Sequence, residues 1–316
     1  MHGWLVIDKP VGIGSTDVVS RVKRRLREGG YPKLKVGHGG TLDPLASGVL
    51  PVALGEATKL AGRMLDSDKV YEFTIRFGEE TDTLDAEGVV VATSQVGPTV
   101  DEVEAVLPRF NGEIDQVPPA YSALKVDGKR AHALARAGAA VELKSRNVRI
   151  HSLSLRAEPV EAPSFTVGQE GQERASTGSA RMVSHITLVA HVSKGTYIRS
   201  LARDVARALE TVGHVTMLRR LKAGPFAVES AISLDKMGEL AKSRQLEQAL
   251  LPLTAGLDDI PALPVTPDQA GLLRQGRKLA GIAAKPGLHL ATDQSVPVAL
   301  VELSEGELRV VRGFNI

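Results

Sequence analysis

A glycine-rich segment of this sequence places one carboxylate in a stiff, closely packed stretch of backbone. In GHGGTLDPLASGVLPVALG, residues 37–55, three glycines surround His38, and Asp43 is followed at once by Pro44. Glycine lets another backbone approach closely, and proline stiffens the turn that would present the Asp. An Asp held in this way could act as a nucleophile or a base, but Asp-Pro also commonly closes a turn through the Asp side chain itself. The spacing alone leaves both interpretations open.

A second segment, SKGTYIR at residues 193–199, carries an arginine between a predicted strand and a predicted helix. The guanidinium of Arg199 is a planar set of donors that can hold a carboxylate or a phosphate. Taken alone, the segment favours a surface arginine.

Other motifs that support catalysis or metal binding do not fit. The glycine clusters lack a following Gly-Lys-Ser/Thr and a proper G-x-G-x-x-G, so neither phosphate loop is present. The acidic segment EETDTLDAE, residues 79–87, misses the ligand order of a calcium loop and is interpreted as a solvated turn. The histidines show no HExxH or other close pair, and His185 and His191 lie on a predicted strand where packing explains them. We expect no metal and no cofactor.

The elements that would position these residues are a mixture of helices and strands. Apolar residues with helical spacing follow the N-cap types Ser15 and Thr16 and stop at Gly29. The basic run RVKRRLR is therefore predicted to lie on a helix. Residues 70–77 alternate apolar and polar side chains, with Tyr71 opening the apolar face, which predicts a half-buried strand. Residues 183–192 predict another strand.

Three further elements complete the prediction. Thr99 and Glu102 form a capping box before a short helix, a second helix follows residue 201 and ends at Gly213, and residues 296–303 are strand-like. Strands and helices do not alternate in a strict βαβ order along the chain. We therefore predict the α+β class, with a mixed, mostly antiparallel sheet flanked by helices.

Length and composition indicate the number of domains and the cellular compartment. A chain of 316 residues predicts about two domains, here residues 1–250 and a small β-rich domain at 251–316 after a proline-punctuated linker. Residues 159–182 include a polar, glycine-rich stretch that predicts a flexible insertion. Cysteine is absent, which favours a reducing cytoplasm, and no run of ~18 apolar residues predicts a membrane span.

Basic residues are clustered although the net charge is only +2. Residues 1–36 hold eight Lys/Arg and three acids, and residues 122–150 and 194–222 each hold seven basic and two acidic residues. Clusters that fold onto one face would attract nucleic-acid phosphates, whereas each cluster alone is typical of the wet face of a helix. Three clusters together favour RNA or DNA as a partner.

The motifs, taken in order along the chain, resemble the TruB-type tRNA pseudouridine synthases of bacteria. The resemblance covers about residues 4–226 and is carried by these segments: GHGGTLDPLASG, GEATKL, DSDKVYEF, TDTLDAEG, PPAYSALKVDGKRAH, SKGTYIRSLARD and HVTMLRRLKAGPF. It implies the pseudouridine synthase fold, and residues 251–316 resemble a PUA-like RNA-binding domain. The insertion at 159–182 is longer than is usual in this family.

The resemblance also assigns roles to individual residues. It implies that Asp43 is the catalytic aspartate, that Arg199 pairs with it and that Tyr71 stacks on the target base and transfers a proton. Four further positions match the substrate pocket: His38, Asp85, Tyr197 and Leu218. Whether Asp43 attacks C1′ of the ribose or removes a 2′ proton stays open.

The implied reaction is the isomerisation of uridine 55 in the T-loop of tRNA after base flipping, by a monomer that needs no protein partner. The predicted RNA-binding residues are Arg21, Lys23, Arg24, Lys125, Lys129, Arg130 and Lys194. Two alternatives are a non-catalytic RNA-binding or tRNA-folding protein on the same fold, and a glycosidase. A glycosidase would need two paired carboxylates, and Asp43 alone has a motif around it.

Overall fold

The computed structural model describes residues 1–122, 124–126, 128–139, 143–156 and 182–316. The predicted insertion at 159–182 lies outside the described residues except for Met182. The chain forms two compact units: one contains residues 1–67 and 220–316, and the other contains residues 68–219.

The regular elements of the described residues are seven α-helices and nineteen strands. The helices are α1 Ser15–Glu28, α2 Ala61–Asp66, α3 Val100–Val106, α4 Ala131–Arg136, α5 Ile198–Ala208, α6 Leu234–Lys242 and α7 Pro267–Arg274. The first strands are β1 Gly3–Lys9, β2 Val36–His38, β3 Ser47–Leu54, β4 Lys69–Phe77, β5 Glu79–Thr81, β6 Val90–Thr93, β7 Gly112–Gln116, β8 Lys125–Val126, β9 Lys129–Arg130 and β10 Arg146–Leu155. The remaining strands are β11 His185–Val192, β12 Gly213–Ala223, β13 Phe226–Ala227, β14 Leu251–Pro252, β15 Ala262–Pro264, β16 Leu279–Ala280, β17 Gly287–Asp293, β18 Val296–Ser304 and β19 Glu307–Gly313.

The first unit is built around β1 and β3, which pair antiparallel along their length. Both strands are almost continuously buried because helices and loops cover both of their faces. Strand β2 pairs with the far end of β3, and β14 pairs with the start of β1. The stretch after residue 250 is therefore more than a linker, since its first residues extend this sheet.

Helix α1 confirms the helix predicted for the basic run. Its apolar side is buried through Val18, Val22 and Leu26, and Gly29 caps its C-terminus. Its N-cap is Gly14 and not Ser15 or Thr16: the backbone N–H of Gly14 donates to Asp17 Oδ2 at 3.1 Å. Ser15 lies inside the first turn, and its side chain is buried.

The second unit is an antiparallel arrangement in which β4 pairs with β11, β11 with β10, and β10 with β7. Strand β4 confirms the predicted strand, with Phe73 and Ile75 fully buried on its apolar face. On the opposite face Glu72 differs from the expectation of an exposed polar residue. It is buried, and Arg156 forms an ion pair with it.

Two helices of the second unit test predictions that were made from local sequence signals. The Thr99 capping box is confirmed: Thr99 N donates to Glu102 Oε2 at 2.8 Å, and Glu102 N donates to Thr99 Oγ1 at 3.2 Å. The predicted end of α5 at Gly213 is wrong. The helix stops at Ala208, Glu210 turns the chain with φ +56°, and Gly213 is the first residue of β12.

The C-terminal part of the first unit carries a five-stranded sheet in the order β15-β17-β18-β19-β16. Strand β18 confirms the predicted strand. The sheet and α7 enclose an apolar cluster that includes Leu273, Val301 and Leu308. Leu290 and Leu300 of this sheet, and Phe314 directly after β19, join a cluster with Trp4. The proposed boundary between 1–250 and 251–316 remains a prediction.

These observations confirm the α+β class with mostly antiparallel strands and a β-rich C-terminal part. In the five-stranded sheet β15 pairs with β17 in parallel, whereas β17 and β18 pair antiparallel. The pairs of β1 with β3 and of β4 with β11 are also antiparallel. Among the described residues, no helix has the length and apolar character needed to span a membrane.

Candidate active site

Asp43 lies in the loop between β2 and β3, in a turn closed by a bond from Ala46 N to its carbonyl oxygen at 3.1 Å. The residue is half-buried. The next carbonyl, that of Pro44, accepts the N–H of Gly12 at 2.8 Å. The loop is thereby fixed to the segment that joins β1 to α1, and the position of Asp43 depends on residues distant in sequence.

Two buried side chains from that segment hold the loop. Lys9 is fully buried at the end of β1, and its ammonium donates to the carbonyls of Ile13 at 2.7 Å, Pro10 at 2.9 Å and Pro44 at 3.3 Å. Ser15 Oγ accepts the N–H of Leu42 at 2.8 Å and donates to the carbonyl of Leu42 at 3.2 Å. A buried ammonium that meets three carbonyls is satisfied, so it can serve as a rigid anchor.

Arg220 braces the other side of the same loop. Its side chain is almost completely buried and donates to Val49 O at 2.7 Å, Thr41 O at 3.4 Å and Gly40 O at 3.5 Å. Gly48 makes this approach possible, since a Cβ at that position would lie 2.2 Å from the Arg220 carbonyl oxygen and its φ is +100°. This glycine in the motif therefore admits a neighbouring backbone.

His38 ends β2 and is half-buried. Burial and the nearby positive charge of Arg220 lower the pKa of His38, and a hydrogen bond with the Gly40 backbone acts in the opposite direction. Both principal causes disfavour the imidazolium. At neutral pH, His38 presents an uncharged ring.

In the second unit, Arg199 and Asp85 form a buried ion pair. Arg199 Nη1 is 3.2 Å from Asp85 Oδ2, and the two side chains are only 7% and 3% exposed. The guanidinium also donates to Thr83 O at 2.9 Å and to Tyr121 O at 3.0 Å. Arg199 is therefore not a surface arginine.

Asp85 is fixed by its own segment. Its Oδ1 accepts the Thr83 hydroxyl at 2.6 Å and the Glu87 N–H at 3.0 Å. Leu84, the residue before it, has φ +61°, a strained value for a residue with a side chain. The expectation of a solvated turn over residues 79–87 is wrong at Asp85, because the ion pair with Arg199 compensates the cost of burying the carboxylate.

The remaining predicted pocket residues also belong to the second unit. Tyr71 is half-buried on the same face of β4 as Phe73, opposite Ala190 of β11. Tyr197 is the N-cap of α5, and its N–H donates to the side-chain oxygen of Gln116 at 2.8 Å. Leu218 is buried on β12.

The structure thus places Asp43 and His38 in the first unit and five residues in the second: Tyr71, Asp85, Tyr197, Arg199 and Leu218. Each group is ordered within its own unit, and the pairing of Asp43 with Arg199 stays a prediction. Sequence reasoning missed the supports, namely Lys9, Ser15, Thr83, Gln116, Tyr121 and Arg220. Several of them lie in the quoted motifs, but which backbone groups they hold depends on the fold.

The predicted RNA-binding residues lie on the surface. Arg21, Lys23 and Arg24 are exposed on α1 of the first unit. Exposed residues of the second unit are Lys125 on β8, Lys129 and Arg130 on β9, and Lys194 in the turn after β11. Arg24 is 3.7 Å from Glu28 on the same helix, so part of its charge is balanced locally.

Comparison with known families decides what this arrangement is. Residues 24–198 match the family described as TruB family pseudouridylate synthase (N-terminal domain), and residues 199–258 match the tRNA pseudouridylate synthase B C-terminal domain. This chain belongs to the TruB family. The family predicted from the motifs is confirmed.

Curated TruB relatives match along the whole chain. The tRNA pseudouridine synthase B of Novosphingobium aromaticivorans is 60% identical and aligns with 100% of this chain and 98% of its own. Those of Zymomonas mobilis and Rhodospirillum rubrum are 58% and 48% identical, over 100% of this chain and 96% and 97% of theirs.

A solved structure supports the predicted fold of this TruB chain. The protein in the structure of an H/ACA RNP bound to a substrate RNA containing 2′-deoxyuridine has a TM-score of 0.69. The match covers 99% of this chain and 85% of that one at 23% identity. Similarity at this level of identity concerns the fold, which is the pseudouridine synthase fold.

Proposed function

We propose that this isomerase, which converts uridine to pseudouridine in tRNA, acts at position 55 in the T-loop. Support comes from the family and from full-length relatives whose name is tRNA pseudouridine synthase B. The observation that carries the proposal is the Asp43 turn, which is braced by three buried or partly buried side chains: Lys9, Ser15 and Arg220. Such preorganisation is what a reacting carboxylate requires.

The reaction conserves every atom of the nucleotide. The bond from N1 of uracil to C1′ breaks, the base rotates, and C5 forms a new bond to C1′. C5 then loses its proton, and N1 gains one. The balance requires no redox partner, and a carboxylate and a proton acceptor on the protein are sufficient.

In this proposal Asp43 meets the ribose, either by adding to C1′ or by removing a 2′ proton. Arg199 pairs with Asp43 once the flipped base has excluded water from the pocket, and its guanidinium holds the reacting carboxylate in position. Asp85 is a positioning residue, because it touches Arg199 and its own segment. The three residues form one charge network.

The other pocket residues hold the base. Tyr71 stacks on the uracil and accepts the C5 proton, and its half-buried place on the apolar face of β4 suits a stacking platform. Tyr197 and Leu218 sandwich the ring. His38, uncharged at neutral pH, fills space beside the flipped nucleotide.

We further propose that the basic residues of α1, β8, β9 and the turn after β11 contact the phosphates of the T-arm. Residues 251–316 add RNA-binding surface as a PUA-like domain. The working form is a cytoplasmic monomer that needs no protein partner. Flipping a nucleotide from a folded tRNA costs roughly a few kcal/mol, which stacking and phosphate contacts repay.

The experiment is incubation of an unmodified tRNA transcript with the protein alone, followed by pseudouridine mapping in wild type and in Asp43→Asn. Wild type should form pseudouridine at position 55. Asp43→Asn should form none and should bind tRNA within a few fold of wild type, since the amide keeps size but loses the charge. Asp115→Asn, the same change at an exposed position of β7, is the matched control.

The outcomes separate the alternatives. Tight binding with no product from wild type would support the non-catalytic RNA-binding protein. Release of free uracil would support a glycosidase. Turnover by Asp43→Asn close to wild type would reject the assignment of Asp43.

A further inference from the structure

A cluster of two histidines and one aspartate lies outside the proposed active site. The possible ligand atoms of Asp68, His151 and His191 all lie within 4.8 Å of one another. His151 Nε2 is 3.0 Å from Asp68 Oδ2, and the rings of the two histidines have their centroids 4.5 Å apart. All three residues belong to the second unit.

Two neighbouring strands, β10 and β11, supply the histidines, and the residue before a third strand supplies the aspartate. Asp68 directly precedes β4, and His191 on β11 pairs with Val70 of β4 and with Ser152 of β10. Strand β10 has a bulge between Ile150 and Ser152, so His151 is its extra residue. A bulge leaves the extra residue outside the ladder and redirects its side chain.

The cluster lies on the face of the sheet opposite Tyr71. Tyr71 pairs with Ala190, and His191 is the next residue of β11, so the two side chains point to opposite faces. Asp68 and His151 are exposed, and His191 is half-buried. None of the residues proposed for catalysis belongs to this cluster.

Two imidazole nitrogens and a carboxylate oxygen are ligands typical of borderline divalent cations, above all Zn²⁺. In a tetrahedral zinc site with bonds of about 2.0–2.1 Å, ligand atoms are about 3.3 Å apart. The Asp68–His151 distance of 3.0 Å is already close to this value. The remaining ligand distances, at most 4.8 Å, can close by rotation of exposed side chains.

We propose that Asp68, His151 and His191 form a binding site for one divalent cation of the Zn²⁺ class, with water in the fourth position. The site ties the start of β4 and the end of β11 to the middle of β10. Excess Mg²⁺ does not compete, because a hard cation prefers an all-oxygen shell and keeps its waters. The inference is independent of the activity proposed above.

The test is calorimetric titration of the untagged, metal-stripped full chain with Zn²⁺ in the presence of excess Mg²⁺, with metal content measured after dialysis. Wild type should bind one equivalent. Loss of an outer-shell partner costs metal sites about 10–100-fold in affinity, so His191→Ala and His151→Ala, which remove ligands, should lose at least about 100-fold. Asp68→Asn should weaken binding less, because the amide oxygen remains a ligand.

The matched control is His185→Ala. His185 lies on the same strand and the same face as His191, with its Nδ1 3.1 Å from Ser184 Oγ. Its loss should leave zinc affinity unchanged. Because His151 is exposed, His151→Ala keeps the test decisive if His191→Ala fails to fold.

A second readout is thermal unfolding. Zn²⁺ should raise the melting temperature of wild type and of His185→Ala but not that of His151→Ala, since only a ligand bound to the folded state stabilises it. Absence of saturable binding by wild type would overturn the proposal and leave an ordinary histidine–aspartate contact. Equal loss of affinity in His185→Ala and His151→Ala would overturn it as well.

Discussion

Tyr71 combines a ring that can stack and a hydroxyl that can accept a proton, and the two roles respond differently to the loss of one oxygen. Tyr71→Phe keeps the ring, so stacking, worth ~1–3 kcal/mol per base, should survive and tRNA affinity should change little. Turnover should collapse because phenylalanine has no lone pair to accept the C5 proton. Tyr71→Ala should lose both. Nearly full single-turnover activity in Tyr71→Phe would leave Tyr71 as a stacking platform only.

The Arg199–Asp85 pair matters for stability as well as for the proposed chemistry. Asp85→Asn leaves the Arg199 guanidinium buried beside a neutral amide, and breaking a buried pair in this way costs about 3–5 kcal/mol. We expect the urea midpoint of the full chain to fall accordingly. Asp115→Asn is the matched control, because this residue is exposed on β7. An unchanged midpoint in Asp85→Asn would show that the remaining bonds of Arg199 satisfy its charge.

At the scale of elements, helix α1 and the Asp43 loop are linked through one hydroxyl. Ser15→Ala removes both bonds to Leu42, and a buried N–H left unsatisfied costs about 1–3 kcal/mol. Because Asp43 follows Leu42, we expect a turnover several-fold lower with little change in tRNA affinity. The control is Ser20→Ala on the same helix, whose hydroxyl donates only to Thr16 O on the exposed side. Equal kinetics in the two variants would show that the hydroxyl of Ser15 on α1 does not position Asp43.

At the scale of the whole molecule, the proposed use of the basic clusters predicts salt-dependent binding. If Arg21 contacts a phosphate, Arg21→Ala should lower the slope of log affinity against log salt by about one, because one fewer counterion is released. Arg109→Ala, an exposed arginine outside the three clusters, should leave the slope unchanged. Binding of wild type measured from low to moderate salt without a slope would show that the clusters are only solvated faces.

The sequence alone determined the family, the α+β class and the elements whose signals are local. Helix α1, strand β4 and the Thr99 capping box follow from periodicity and from residues three positions apart, which the chain encodes without reference to the fold. The end of α5 escaped this reasoning, because Glu210 takes a positive φ that no local rule assigned to it.

The burial of polar residues, and the backbone groups that they bind, depend on the tertiary fold. Lys9 and Arg220 are ordinary basic residues in the sequence, and they become anchors because the fold brings backbone carbonyls to their charged ends. His151 and His191 are forty residues apart and meet Asp68 through strand order and one bulge. Register and bulges arise from pairing between distant segments, so the spacing of residues along the chain does not contain them.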